Sequence, residues 1–224
     1  MGLSMAQPTA RNLASGAPEG EQRSARKRHA ILDAAEDAFL KGGYLGTNMD
    51  ELAAQSGVSK QTVYKHFGSK EALFVELVTT MTDEAGDRVH NEVPDPADEA
   101  ELANYLQTYA ERQLAIVMTP RLLQLRRLVI GEVGRFPALA TALYESGPKR
   151  AMSALAMVFE RLSDRGLLEI DDPSVAASQF NWLIMSAPLN ETMLLGDAAI
   201  PNTAKLHSHA AEGVRFFLAA HGRR

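Results

Sequence analysis

Lys60, Gln61, Tyr64 and Lys65 stand together in Ser59–Lys70, a stretch without a single acid, and helical spacing points them largely outward. Val63 and Phe67, four residues apart, take the inward face of the same short helix. Such a set of donors does binding chemistry rather than bond-making chemistry. From the first turn of a helix docked in a groove, Gln61 can make a paired contact with adenine and Lys60 can donate to guanine. Tyr64, Lys65 and Thr47 suit phosphate oxygens, and Lys70 with the free N–H groups after Ser69 makes a further anion site at the next helix start. Ser59, Thr62 and His66 complete the polar surface. Taken alone, the pattern also fits a polar-faced helical hairpin that binds protein as an adaptor and never meets a nucleic acid.

Residues that would carry out catalysis are missing from the usual patterns. There is no His-Glu-x-x-His, phosphate-binding loop, Gly-x-Ser-x-Gly or dinucleotide glycine fingerprint. The six histidines are scattered, and His207 and His209, two apart on a helix, point in different directions instead of forming a metal pair. Cysteine is absent, which removes disulfides, thiol nucleophiles and cysteine-held zinc and fits a reducing cytoplasm. No metal, no cofactor and no enzymatic activity are expected. The most apolar stretch, Val175 to Leu195, is interrupted by Ser178, Gln179, Asn181, Ser186, Pro188 and Asn190, so nothing in it should span a membrane.

Charge is segregated along the chain. Residues 1–82 hold nine basic and nine acidic residues, so the whole net charge of −5 falls on the remainder. Two blocks lack acids entirely: Gln22–Leu32, with Arg23, Arg26, Lys27 and Arg28, and Ser59–Lys70. Brought onto one face, they would make it locally basic while the rest repels DNA.

The elements that must position these donors follow from caps and periodicity. A first helix is predicted from near Ser24 to Lys41, stopped by Gly42-Gly43, with Ile31, Ala35, Ala38 and Phe39 inward. Thr47-x-x-Asp50 predicts the start of a second helix, roughly Asn48–Ser56, with Thr47 as its cap and Met49, Leu52 and Ala53 buried. Gly57 supplies a tight turn, Val58 pins it, and Ser59 caps a third helix running to about Phe67. A fourth, Lys70 to about Asn91, carries Leu73, Phe74, Leu77, Val78 and Met81 on one stripe. It ends before Pro94 and Pro96.

From Asp98 onward every segment is helical in pattern and none alternates like a strand. Leu102, Leu106, Tyr109, Gln113 and Val117 share a face. Thr119-Pro120 opens a helix with Leu122, Leu125, Leu128, Val129 and Val133. A short piece, Ala138–Ser146, is predicted to break at Gly147-Pro148 before a helix from Lys149 to about Arg165 with Met152, Leu155, Val158, Phe159 and Leu162 inward. Asp172-Pro173 opens another that includes Trp182 and Pro188, and the last runs Thr203–Ala220. The fold class is all-α: a three-helix N-terminal helix-turn-helix domain and a larger C-terminal bundle, about nine or ten helices in total. The last two helices present more apolar surface than one bundle needs, and pairing with a second copy is its natural outlet.

The run ILDAAEDAFLKGGYLGTNMDELAAQSGVSKQTVYKHFGSKEAL, Ile31 to Leu73, resembles the N-terminal DNA-binding domain of the TetR family of bacterial transcriptional regulators. RLVIGEVGRFPALATALYESGP resembles the C-terminal ligand domain of one subgroup. The resemblance implies that Tyr64, Lys70 and Thr47 hold phosphates of a double-stranded operator and that positions around Lys60 and Gln61 choose bases. It also implies a homodimer through the last two helices and a cavity for a small apolar or amphipathic effector, with candidate lining Tyr109, Gln113, Met157, Phe159, Trp182 and Met185. Effector binding would shift the fourth helix and release a palindromic operator. The expected organisation is a disordered tail at 1–22, a helix-turn-helix domain at 23–70, a linking helix at 71–93, and a ligand-binding and dimerisation domain at 97–221.

Overall fold

The computed structural model describes residues 19–90 and 94–223. The first helix, α1, spans Glu19–Gly46, but Gly43 leaves helical geometry at φ 72°, so the continuous part stops at the expected glycine pair. Its start lies earlier than Ser24. Residues 19–27 are rich in Glu, Gln, Ala, Arg and Lys, which lose little freedom in a helix, and the turns need no apolar support. The expected tail is therefore helical from Glu19, and its first 18 residues lie outside the described residues.

Then follow α2 (Met49–Gln55), α3 (Lys60–Phe67) and α4 (Lys70–His90). The cap of α2 is Asn48, whose side chain accepts from the Asp50 N–H at 2.8 Å, and not Thr47. Thr47 is buried and its hydroxyl donates to the Gly43 and Ala38 carbonyls at 2.8 and 3.2 Å, closing the open end of α1. Ser59 caps α3 as expected, accepting from the Thr62 N–H at 3.2 Å.

The larger part comprises α5 (Glu99–Val117), α6 (Pro120–Glu132), α7 (Pro137–Tyr144), α8 (Arg150–Asp164), α9 (Pro173–Leu195) and α10 (Thr203–His221). Gly147-Pro148 does not break the chain. A π-helical turn, Glu145–Lys149, carries α7 directly into α8. Widening the helix there tolerates the N–H that Pro148 lacks and relieves its clash with the preceding turn. Among the described residues there is no strand, only an isolated bridge between Leu168 and Gly222.

Two apolar cores result. One is made by α1–α4 together with Leu125 and Val129 of α6 and Leu139 of α7. The other fills the space among α5, α8, α9 and α10 around Phe159, Phe180 and Phe217, whose centroids lie 4.9 to 5.7 Å apart. Helix α4 belongs to both. Leu73, Phe74, Leu77, Val78 and Met81 enter the first core, and Val89, two turns on, enters the second. Ion pairs lash the same helix to its neighbours: Arg150 of α8 meets Asp83 and Asp87 at 3.0 and 2.7 Å, and Arg121 of α6 reaches Glu84 and, on α1, Glu36. No helix among the described residues is long and apolar enough to cross a membrane.

Candidate nucleic-acid interface and effector cavity

Helices α2 and α3 meet through a turn in which Gly57 adopts φ 68° and donates to the Ala54 carbonyl at 3.1 Å. Val58 follows, donating to the Ala53 carbonyl at 3.1 Å and packing on the first core. A Cβ at position 57 would find open space, so the requirement for glycine there is purely one of backbone conformation. Buried Val63 and Phe67 then fix the roll of α3, leaving Lys60, Gln61, Tyr64 and Lys65 exposed and Thr62 and His66 half-buried.

The electrostatics of this face differ from a simple row of donors. Lys60 Nζ lies 2.9 Å from Asp50 Oδ2 on α2, and that hydrogen bond raises the pKa of the exposed ammonium above its ordinary value. Ser59 Oγ is 2.8 Å from the Thr62 hydroxyl, so these two groups satisfy each other. Lys70 turns back under the α1–α2 junction, donating to the Thr47 carbonyl at 2.7 Å with its ammonium 5.1 Å from the Tyr44 ring. Burial pushes its pKa below the ordinary lysine value. The side chains of Thr47 and Lys70 thus serve first to build the entry to α2. The outward donors are Gln61, Tyr64, Lys65 and the paired Lys60.

A cavity opens between the two cores. It is lined by Thr82, Ala85, Gly86 and Val89 of α4, Gln113 and Val117 of α5, Leu122, Leu125 and Arg126 of α6, and Asn181, Trp182, Met185 and Leu189 of α9, with Pro148 and Ala151 closing one side. Of the six residues named from the sequence, it brings together Gln113, Trp182 and Met185. Tyr109 and Phe159 are packed in the second core, and burial pushes the Tyr109 hydroxyl far above the usual tyrosine range. Met157 is 58% exposed on the outer face of α8. Two residues from Phe159 on a helix, it has to face the other way.

Gln113 and Asn181 are both buried, and Gln113 Nε2 donates to Asn181 Oδ1 at 2.8 Å. Gln113 Oε1 has no hydrogen-bond partner among the described residues. Thr82, Asn181 and Arg126 were not anticipated. A signal for Arg126 was present: it stands four residues after Leu122 and three before Val129, on the stripe those residues define.

The histidines of α10 are held by the fold itself, His207 Nδ1 at 2.7 Å from Glu111 Oε1 and His209 Nε2 at 2.9 Å from the Ile184 carbonyl. No group of three His, Cys, Asp or Glu side chains among the described residues could hold a metal ion. Along α9 and α10 the large apolar residues left exposed include Val175, Trp182, Leu183, Leu194, Leu195 and Phe216.

Residues 31–77 match the family described as bacterial regulatory proteins, tetR family, and residues 104–223 match the C-terminal domain of the AefR-like transcriptional repressors. The chain belongs to the TetR family. Its all-α fold, a helix-turn-helix domain followed by a helical body, superposes on a TetR-family transcriptional regulator from Mesorhizobium loti MAFF303099 with a TM-score of 0.82. The two are 38% identical over 90% of this chain and 99% of that one. The flavonoid-responsive regulator FrrA is 33% identical over 89% of this chain and 99% of its own, with a TM-score of 0.74. Among curated relatives, the transcriptional regulator RutR of Escherichia coli K12 is 40% identical over 57 residues, so the match spans about a quarter of either chain. This TetR-family protein is thus a transcriptional regulator with a DNA-binding helix-turn-helix, not an enzyme.

Proposed function

We propose that the protein is a repressor that binds a two-fold symmetric operator as a homodimer and leaves it when a small apolar or amphipathic molecule enters the cavity among α4, α5, α6 and α9. The observation that carries this reading is the double membership of α4. Its first half, through Leu73 to Met81, holds the reading unit, and its second half, through Thr82 to Val89, forms a wall of the cavity. A molecule that prefers a wider cavity has to displace α4, and α4 takes α2 and α3 with it.

In this reading Gln61 and Lys60 choose bases from the first turn of α3, and Ser59, Thr62, Tyr64, Lys65 and His66 lie over the adjacent phosphates and bases. Thr47 and Lys70 act by holding the start of α2 in place, their backbone groups nearest the phosphates. The exposed apolar residues of α9 and α10 support pairing with a second copy, which sets two recognition helices about 34–36 Å apart on one side of the duplex. The AefR-like description of the C-terminal match supports repression, and the name of FrrA supports a response to a small organic molecule.

The deciding experiment is selection of bound sequences from a random DNA pool, followed by a reporter assay on the selected site. A palindrome with half-sites one helical turn apart, and lower reporter output in the presence of the protein, is the expected result. Recovery of unrelated sequences, or of a single unpaired half-site, overturns the dimeric operator reading.

A further inference from the structure

Among the described residues, the cavity has one charged group in its wall and no acid to neutralise it. Arg126 reaches it from α6, and among the described residues its guanidinium makes no hydrogen bond and no ion pair. Neighbouring arginines do not share this condition. Arg127 binds Asp197 and Arg121 binds Glu36. No Asp or Glu among the described residues lines the cavity, and burial drives the Arg126 pKa below its ordinary value.

An unpaired, half-buried guanidinium among apolar side chains is costly to the fold, because part of its hydration is given up and no counter-charge replaces it. Val89, Val117 and Met185 share the cavity wall with it, and Gln113, another wall residue, has in its buried Oε1 an acceptor without a donor among the described residues. A planar cation with paired N–H groups matches a carboxylate edge-on, and the match gains most where water is excluded. We propose that the effector is an amphipathic carboxylate, its anionic head paired with Arg126 and its apolar body lying along α4, α5 and α9. This rests on the reading of the cavity as an effector site and adds the ligand's charge class and its anchoring residue. Since α4 and α6 both line the site, a body extending from a head group fixed on Arg126 toward Ala85 and Val89 presses on α4.

The test titrates the full chain with octanoate and 4-phenylbutyrate, and with their neutral primary amides, following the fluorescence of Trp182, the only tryptophan and itself part of the cavity wall. The carboxylates should bind at least about tenfold more tightly than the matching amides. Arg126→Gln should bring that ratio close to one while leaving amide binding in place, and Arg126→Lys, which keeps the charge, should retain the preference. Thermal denaturation of each variant shows that it is folded, and Arg126→Leu, which removes the half-buried charge, should unfold at no lower temperature than the parent. Equal binding of acid and amide, or a preference that survives Arg126→Gln, overturns the carboxylate assignment. If amides bind and release the selected operator, the effector-cavity reading stands without it. If none of the four compounds perturbs Trp182 or releases the operator, both readings fall together.

Discussion

The ring of Phe136, in the loop between α6 and α7, lies with its centroid 4.4 Å from that of Tyr44, the planes inclined at 59°. Tyr44 in turn packs on Phe39 and Phe74 and lies beneath the Lys70 ammonium, which holds the Thr47 carbonyl. A line of contacts thus runs from the helical body, through one aromatic pair, to the first residues of the helix-turn-helix.

Replacing Phe136 with Ala should therefore weaken the seating of the body on the reading unit. Half-burial of the ring and loss of the aromatic pair predict a cost of about 1–2 kcal/mol. Thermal denaturation should show a drop of a few degrees. The more telling measurement is operator affinity with and without effector, whose ratio should shrink. A variant that loses stability but keeps the full ratio would show that coupling does not run through the Phe136–Tyr44 pair.

Lys60 and Asp50 give a paired prediction. Lys60→Ala should weaken operator binding and lower the dependence of log affinity on log salt by about one unit, because one cation fewer displaces counterions. Asp50→Asn removes a carboxylate that competes with phosphate for the same ammonium, so it should strengthen binding to any duplex. Fluorescence anisotropy across a salt series measures both. Unchanged affinity in Lys60→Ala would remove the outer face of α3 from the interface.

Much of this geometry was readable from local signals. Ser59, Gly57 and the Val63–Phe67 spacing delimit α3, because cap, turn and core contact all fall within a few residues. Asp172-Pro173 likewise marks the start of α9. What escaped depended on contacts distant in sequence. Thr47 and Asn48 are both good caps, and the choice was made by carbonyls of α1 that needed the Thr47 hydroxyl. Gly147-Pro148 reads as a break, but packing against Thr82 of α4, whose hydroxyl lies 2.6 Å from that of Ser146, holds the chain in a π turn instead. The pocket residues were the least legible, since an aromatic or methionine on a helix looks the same whether it lines a core or a cavity.

The role of Thr47 can be separated from phosphate binding by two substitutions. Thr47→Val keeps the shape but leaves the Gly43 and Ala38 carbonyls short of a donor, at a cost of about 1–3 kcal/mol. Thr47→Ser keeps the donor and should lose much less. Urea denaturation gives the stabilities. The salt dependence of operator binding should be the same in both variants if the hydroxyl only builds the fold. A lower slope in Thr47→Val alone would return the hydroxyl to the phosphates.

Alkaline pH should destabilise the chain through its buried tyrosines. Burial raises the pKa of Tyr44, Tyr105 and Tyr109, most strongly Tyr109, where neighbouring Tyr105 adds to it. A group whose folded pKa is raised contributes its stabilisation fully below the unfolded value, near 10 for tyrosine, and loses it as pH rises through the folded value. The urea midpoint should therefore fall progressively above about pH 10. Tyr109→Phe, which cannot ionise, should show a shallower decline, and an equal slope would exclude Tyr109 as the dominant group.

Phe216 tests the dependence of DNA reading on a second copy. Its ring is 55% exposed on α10, with the Arg215 guanidinium 4.4 Å from its centroid, on the same pair of helices that exposes Trp182 and Leu183. Placing a carboxylate there, as Phe216→Glu, should leave the helical content unchanged, because the side chain is outside both cores, while an interface burying it would be opposed by desolvation of the charge. Sedimentation should then report a monomer at concentrations where the parent is dimeric. Affinity for the full operator should fall by a factor on the order of 10²–10⁴, the gain that linking two sites provides, while affinity for a single half-site stays the same. A variant that sediments as a dimer with undiminished operator affinity would move the interface away from α10 and leave the exposed face of α9 and α10 without that assignment.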